Sequence, residues 1–136
     1  MRGTIILCAS MGLVLTAPPG SAHHAFAAEY DAKKLIVVSG VVTAFEWTNP
    51  HVWLRVDGQD ANGTAGKWDF EMGSPGGLLR RGWKRADLKE GDAVTVDGYA
   101  AKDGRNVANA RMVTLPDGRK LFGGFGSTPG NPFPQP

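Results

Sequence analysis

Short segments in which apolar and polar residues alternate restrict the fold of this chain more than any other feature. The clearest is Lys67–Met72, where Trp68, Phe70 and Met72 alternate with charged residues. A two-residue period is that of a β-strand with one buried face. The pattern predicts five strands, with a short sixth at the end: Leu35–Trp47, His51–Asp57, Lys67–Met72, Ala93–Ala101, Asn106–Leu115 and Lys120–Phe122.

The two-residue alternation of apolar and polar residues is interrupted by a helical pattern once, between the third and fourth strands. Ser74 and Pro75 are typical of a helix N-cap and first helical residue, and Gly82 can end a helix in the left-handed conformation. Three strands, a short helix and two strands follow the order of an OB-fold. We therefore predict a mostly β protein, a small five- to six-stranded OB-like barrel with one short helix between strands three and four. An open β-sandwich is the alternative.

Alternation also assigns side chains to the two faces of each strand. Gly40 is a candidate for a bulge or a sharp coil in the first strand. Three apolar residues of that strand are expected on one face: Val41, Phe45 and Trp47. On the third strand Asp69 and Glu71 share the polar face, where two carboxylates are expected to be solvated charges. Nucleophile, phosphate and dinucleotide motifs are missing from the sequence, so no catalytic residue is predicted.

Residues 1–22 have the layout of a secretory signal peptide: Arg2, an uncharged apolar run, and small residues that end at Ala22. The apolar run, residues 4–15, is shorter than the roughly 20 residues of a membrane span. Cleavage after Ala22 starts the mature chain at His23, whereas cleavage after Ala27 starts it at Ala28 and removes two histidines. We predict a periplasmic or secreted protein without a membrane span.

The rest of the chain has room for one domain. We expect an N-terminal arm over residues 23–34, the barrel over 35–122, and a disordered Gly/Pro-rich tail over 123–136. The single cysteine, Cys8, lies in the predicted signal peptide and excludes a disulfide scaffold. A net charge of +2 is too small to indicate a nucleic-acid partner. The oligomeric state is not set by these features.

Several strings in the sequence are distinctive. Residues 23–31 read HHAFAAEYD, residues 46–51 read EWTNPH, residues 73–83 contain GSP and LLRRGW, and residues 108–111 read ANAR. Through these strings the chain resembles an exported bacterial family of unknown function, domain of unknown function 6152, over nearly all of residues 23–122. The resemblance implies export and a small β-barrel-like domain. It implies no activity, substrate or catalytic residue.

The three histidines, His23, His24 and His51, are the candidate metal ligands. A chain that starts at His23 carries an α-amine and an imidazole on one residue, and a second histidine could complete a copper site called a histidine brace. Nitrogen ligands of this kind suit Cu(II). His51 opens the second strand on its polar face and is the expected second histidine, with His24 as a substitute or near neighbour. Alternatively, the first two histidines only flank the cleavage site and His51 only hydrogen-bonds within the barrel.

A non-metal interaction module is the alternative function, and an oxidative copper enzyme is a third. Trp53 and Arg55 share the outer face of the second strand with His51, and four cations follow near the helix end: Arg80, Arg81, Lys84 and Arg85. Such a surface would fit an envelope protein or a glycan, whereas export argues against nucleic acid. The nearby acidic residues Asp87, Glu90 and Asp92 make a solvated face the favoured interpretation of the cations.

Overall fold

Five strands of the computed structural model, which describes residues 26–124, pair edge to edge and close into a ring. They are β1 (Tyr30–Glu46), β2 (Trp53–Asp60), β3 (Ala65–Glu71), β4 (Ala93–Ala101) and β5 (Val107–Thr114). β1 pairs with β2 and β4, β2 with β3, and β4 with β5, all antiparallel. A parallel pairing of β3 with β5 closes the ring, and β6 (Lys120–Phe122) pairs with β5. The predicted mostly β fold with OB-like strand order is confirmed.

The helix expected between the third and fourth strands is α1 (Pro75–Arg80). Ser74 is its N-cap, and the Ser74 hydroxyl accepts a hydrogen bond of 3.2 Å from the backbone N–H of Gly77. Gly82 follows with a φ of 92°, the left-handed conformation that favours glycine. A single 3-10 turn, Arg85–Asp87, then leads toward β4.

β1 differs from its prediction in both its start and its faces. It begins at Tyr30, ahead of Leu35, and its pairing with β2 shifts register between Val42 and Ala44. The extra residue reverses the faces, so Val41 is 46% exposed while Phe45 packs against the core. The prediction of one face for Val41 and Phe45 is therefore wrong, because a bulge is invisible to strict alternation.

Gly40 has a different role from the bulge expected there. It lies directly opposite Gly58 on β2, and a side chain on Gly40 would collide with the backbone of Asp57 and Gly58. Two glycines facing each other thus allow β1 and β2 to approach closely at this point.

The core fills the inside of the ring. The inward residues predicted for β2 and β3 are buried there: Val52, Leu54, Val56, Trp68, Phe70 and Met72. Trp83, placed after α1, is 1% exposed, its ring centroid lies 5.9 Å from that of Phe45, and its Nε1–H donates to the Phe122 carbonyl at 2.7 Å. Trp83 therefore links the segment after α1 to β6.

Both ends of the described chain are attached to the barrel. Residues 26–29 are helical, and Lys102 binds this turn through its Nζ to the Ala27 carbonyl (2.5 Å) and its N–H to the Glu29 carbonyl (2.9 Å). At the other end Gly123 is buried and hydrogen-bonds the backbones of Gly73 and Arg111. The predicted signal peptide and most of the predicted tail lie outside the described residues.

Helices long and apolar enough to cross a membrane are not found between residues 26 and 124.

Candidate functional site

Three side chains meet on the outer surface of the ring and form what we call the outer-face cluster: Tyr30, His51 and Glu71. The Nδ1 atom of His51 lies 2.5 Å from one carboxylate oxygen of Glu71, Oε1. The Tyr30 hydroxyl donates a hydrogen bond of 2.5 Å to the other oxygen, Oε2. One carboxylate therefore holds a histidine and a tyrosine that lie far apart in the sequence.

Strand pairing brings these residues together. Glu71 lies directly opposite Trp53 in the β2–β3 pair, and residues opposite each other present their side chains to the same face. His51 precedes Trp53 by two residues and so shares this face. Backbone pairing extends to Val52, next to His51: the Val52 N–H donates to the Gly73 carbonyl, and the Val52 carbonyl accepts from the Met72 N–H.

Burial falls from the tyrosine to the histidine. Tyr30 is 3% exposed, whereas the side chains of Glu71 and His51 are 13% and 35% exposed. The expectation that Glu71 is a solvated charge is thus wrong, because the Tyr30 hydroxyl and the His51 ring each contact one of its carboxylate oxygens. Asp69, two residues earlier, instead lies 2.6 Å from a guanidinium nitrogen of Arg55. The two carboxylates therefore have separate partners.

Tyr30 donates a hydrogen bond to Glu71. Burial raises the pKa of the Tyr30 hydroxyl well above its usual range, and the hydrogen bond and charge of Glu71 raise it further. The phenol therefore stays protonated at physiological pH and keeps the carboxylate in place.

The raised pKa of Tyr30 predicts a loss of stability at alkaline pH. A group whose pKa is higher in the folded than in the unfolded chain stabilises the fold fully below its unfolded value, about 10 for tyrosine. We expect the free energy of unfolding to fall above about pH 10, by at most about 1.4 kcal/mol per pH unit from this group. Urea titrations of wild type and Tyr30→Phe between pH 7 and 11 measure it. Parallel curves for the two proteins would contradict the assignment.

Phe26 covers the buried side of the cluster. Its ring centroid lies 5.5 Å from that of Tyr30 and 5.7 Å from that of Tyr99, which it meets edge to face. The helical turn before β1 is therefore attached to the same surface as Glu71. Sequence alternation did not reveal this contact, because the turn lies before the first predicted strand.

Of the predicted metal ligands, the structure describes His51, and the other two histidines lie outside the described residues. Between residues 26 and 124, no three His, Cys, Asp or Glu side chains gather closely enough to hold a metal ion. A metal bound by His51 would therefore need ligands from elsewhere, with Glu71 supporting the imidazole.

The predicted interaction residues on β2 lie beside the cluster. Trp53 is half-buried, and the Arg55 guanidinium lies over its ring at 6.0 Å. Arg55 also bonds Glu46 at 3.0 Å and Asp69 at 2.6 Å, and these hydrogen bonds raise the pKa of Arg55. The two carboxylates offset the positive charge that this surface was expected to present.

The four predicted cations lie at the end of the helix and just after it, and all are exposed: Arg80, Arg81, Lys84 and Arg85. Arg80 lies in the last turn of α1 and Arg81 is its C-cap. Arg85 donates to the Trp47 carbonyl at 3.2 Å, which joins this segment to the turn that leads to His51.

The sequence did not indicate three residues in or beside the outer-face cluster as parts of a site: Tyr30, Glu71 and Asn109. Asn109 lies directly opposite Glu71 in the β3–β5 pair and is 1% exposed. Two of the strings that carry the resemblance contain Tyr30 and Asn109, and a third contains His51. The signal in the sequence was that three of these strings each contain a residue placed near Glu71. It can be recognised only once the strand pairing is known.

Comparison with known proteins gives one family. Neither a curated protein nor a solved structure matches the chain. The model of a family of unknown function, DUF6152, matches residues 11–110, which is most of the chain and includes β1 to β4. The chain therefore belongs to the family of unknown function DUF6152.

Proposed function

We propose that this chain is an exported binding protein that holds a copper ion between His51 and the N-terminal His23, with His24 as a further candidate ligand. The contact of His51 Nδ1 with Glu71 carries the proposal. Histidines that bind metals almost always donate a hydrogen bond from their second ring nitrogen to a carboxylate, carbonyl or water. This bond fixes the orientation and the tautomer of the ring. Because Nδ1 of His51 contacts Glu71, His51 would bind the ion through Nε2.

The position of Phe26 supports His23 as the partner of His51. Phe26 packs against Tyr30, and the Tyr30 hydroxyl binds the carboxylate that also holds His51. Three residues of extended chain span at most about 10 Å. His23 is three residues before Phe26, so it lies within about 10 Å of the residue that packs on Tyr30.

The same contacts favour cleavage after Ala22 over cleavage after Ala27. The second site would remove the Phe26 ring from Tyr30 and Tyr99. It would also remove the Ala27 carbonyl that Lys102 binds. A mature chain that starts at His23 keeps these contacts together with the α-amine that the copper proposal requires.

Copper is the favoured ion because the proposed ligands are an amine and imidazoles. Cu(II) is at the top of the affinity order of divalent first-row metals and suits nitrogen donors. A site at the surface of a small barrel would suit storage, buffering or delivery of the ion. The interaction module has less support, because Glu46 and Asp69 already offset the charge of Arg55.

A copper titration of the chain that starts at His23 tests the proposal. We expect one Cu(II) per chain, with affinity at least about tenfold lower in His51→Ala and about 10–100-fold lower in Glu71→Gln, which removes the support of a ligand. Competition against a chelator of known affinity, followed by native mass spectrometry, gives both stoichiometry and affinity.

Asp69→Asn is the matched control for Glu71→Gln. Asp69 lies on the same strand and face but contacts Arg55, so its replacement should leave copper affinity unchanged. A wild-type chain that binds no copper would end the proposal. An identical titration for His51→Ala would remove His51 from the site.

A further inference from the structure

Four exposed cations lie at the end of α1 and just after it, and we call them the α1 cation cluster: Arg80, Arg81, Lys84 and Arg85. Acidic residues close by in the sequence were expected to offset their charge. Among the residues that the structure describes, however, no carboxylate forms an ion pair with the side chain of Arg80, Lys84 or Arg85. Arg85 donates instead to a neutral acceptor, the Trp47 carbonyl. The cluster therefore presents positive charge to solvent.

The nearby acids bond to other cations. The Asp87 side chain is only 6% exposed, and its carboxylate accepts from Arg119 at 3.0 Å. Asp92 accepts from the Nζ of Lys89 at 2.6 Å and from the backbone N–H of the same residue at 3.0 Å. Glu90 lies exposed in the turn before β4. The balanced face that the sequence favoured is thus not formed by direct pairing.

An exposed leucine lies beside these cations. Leu78 on α1 is buried in the core, whereas the next residue, Leu79, is 56% exposed. A single exposed leucine is common on protein surfaces, but this one directly precedes Arg80 and Arg81. Residues 74–79 carry no charged side chain. The segment therefore combines an uncharged helical turn, an outward apolar side chain and a run of cations.

This combination suits an anionic lipid surface better than a protein partner. Arginine binds phosphate groups in a bidentate geometry, and a leucine on the same surface can enter the boundary between lipid headgroups and acyl chains. Protein partners are commonly held by aromatic anchors. Trp83, the tryptophan of this segment, is instead 1% exposed and bonded to the Phe122 carbonyl. A bilayer needs no such anchor, because its phosphates have no fixed register.

We propose that the α1 cation cluster, together with Leu79, binds the surface of a bilayer that contains anionic lipids. Each cation close to such a surface contributes about fivefold in affinity. The attraction is between exposed charges, so the binding weakens as salt is added. This inference goes beyond the proposed function and does not depend on copper.

Sedimentation with lipid vesicles, without metal and at low salt, tests the proposal on the chain that starts at His23. One kind of vesicle contains equal parts of phosphatidylglycerol and phosphatidylethanolamine, and the other contains phosphatidylcholine, which has no net charge. We expect binding to the anionic vesicles alone. Arg80→Gln combined with Lys84→Gln should raise the dissociation constant about 25-fold, and Leu79→Ser should raise it at least about fivefold.

Lys33→Gln combined with Lys34→Gln is the matched control, because it removes the same charge from two exposed residues at the start of β1. The α1 cation cluster lies toward the other end of that strand, where Trp83 packs near Phe45. The control should bind anionic vesicles as wild type does. Circular dichroism verifies that all variants remain folded, as expected for changes to exposed side chains.

Three results would overturn the proposal. Equal losses in the two double variants would show a response to net charge alone, and equal binding to both kinds of vesicle would exclude recognition of anionic lipid. Binding to polyglutamate but to neither vesicle would point to an acidic protein in place of a bilayer. If the copper titration fails while the vesicle results are as expected, the proposed function fails and the lipid-binding surface stands.

Discussion

Replacing Trp83 with alanine is expected to lower the free energy of unfolding by about 3–5 kcal/mol. Trp83 is 1% exposed, packs near Phe45 and belongs to the core, so its removal leaves a large cavity. The Phe122 carbonyl would also lose its donor. Single domains are stable by about 5–15 kcal/mol, so this one change could remove much of the total. Urea unfolding followed by circular dichroism measures it.

Trp83→Phe separates the ring from its hydrogen bond. It retains an aromatic side chain near Phe45 but loses the bond to the Phe122 carbonyl, for an expected loss of about 1–2 kcal/mol. The order of stability should be wild type, phenylalanine variant, alanine variant. A loss below about 1 kcal/mol for Trp83→Ala would show that the barrel does not depend on this residue.

One extra residue before His23 is expected to reduce copper affinity by at least about a hundredfold. The addition replaces the α-amine of His23 with a peptide nitrogen, so the proposed site loses a direct ligand. Loss of a ligand should exceed the roughly 10–100-fold effect of removing a ligand's support. The measurement is the same chelator competition, with the N-terminus of each preparation verified by mass.

The extension also separates the two function classes. A residue added after Pro136 is the matched control and should leave copper affinity unchanged. An interaction module that uses Trp53 and the cations near α1 should tolerate either addition. Equal copper affinity with and without the extra N-terminal residue would exclude the amine from the site.

Local patterns were enough to predict most of the fold. β4 and β6 have the predicted bounds, and Ser74 and Gly82 flank the helix as expected. These features depend on alternation, a cap and a left-handed glycine, all of which act over a few residues. The faces of β1 were predicted incorrectly because the bulge near Ala44 depends on pairing with β2.

The candidate site was only partly predictable for the same reason. The outward position of His51 follows from alternation within one strand. The hydrogen bond between Tyr30 and Glu71 joins residues 41 apart, and Asn109 lies opposite Glu71 because β5 pairs in parallel with β3. Both depend on which strands become neighbours, which no local pattern contains.

The long first strand also determines when the barrel can form during synthesis. β1 pairs along one edge with β2, which follows at once, but Leu35 on the other edge pairs with Tyr99 on β4. Until β4 has been made, that edge of β1 has no partner, and the apolar outer residues Leu35, Val37 and Val41 add to its tendency to associate. Domains dominated by such distant pairings fold in roughly milliseconds to seconds rather than microseconds. A chain built this way cannot close its ring before β5 has been synthesised, and until then the polypeptide can still be threaded through a narrow channel.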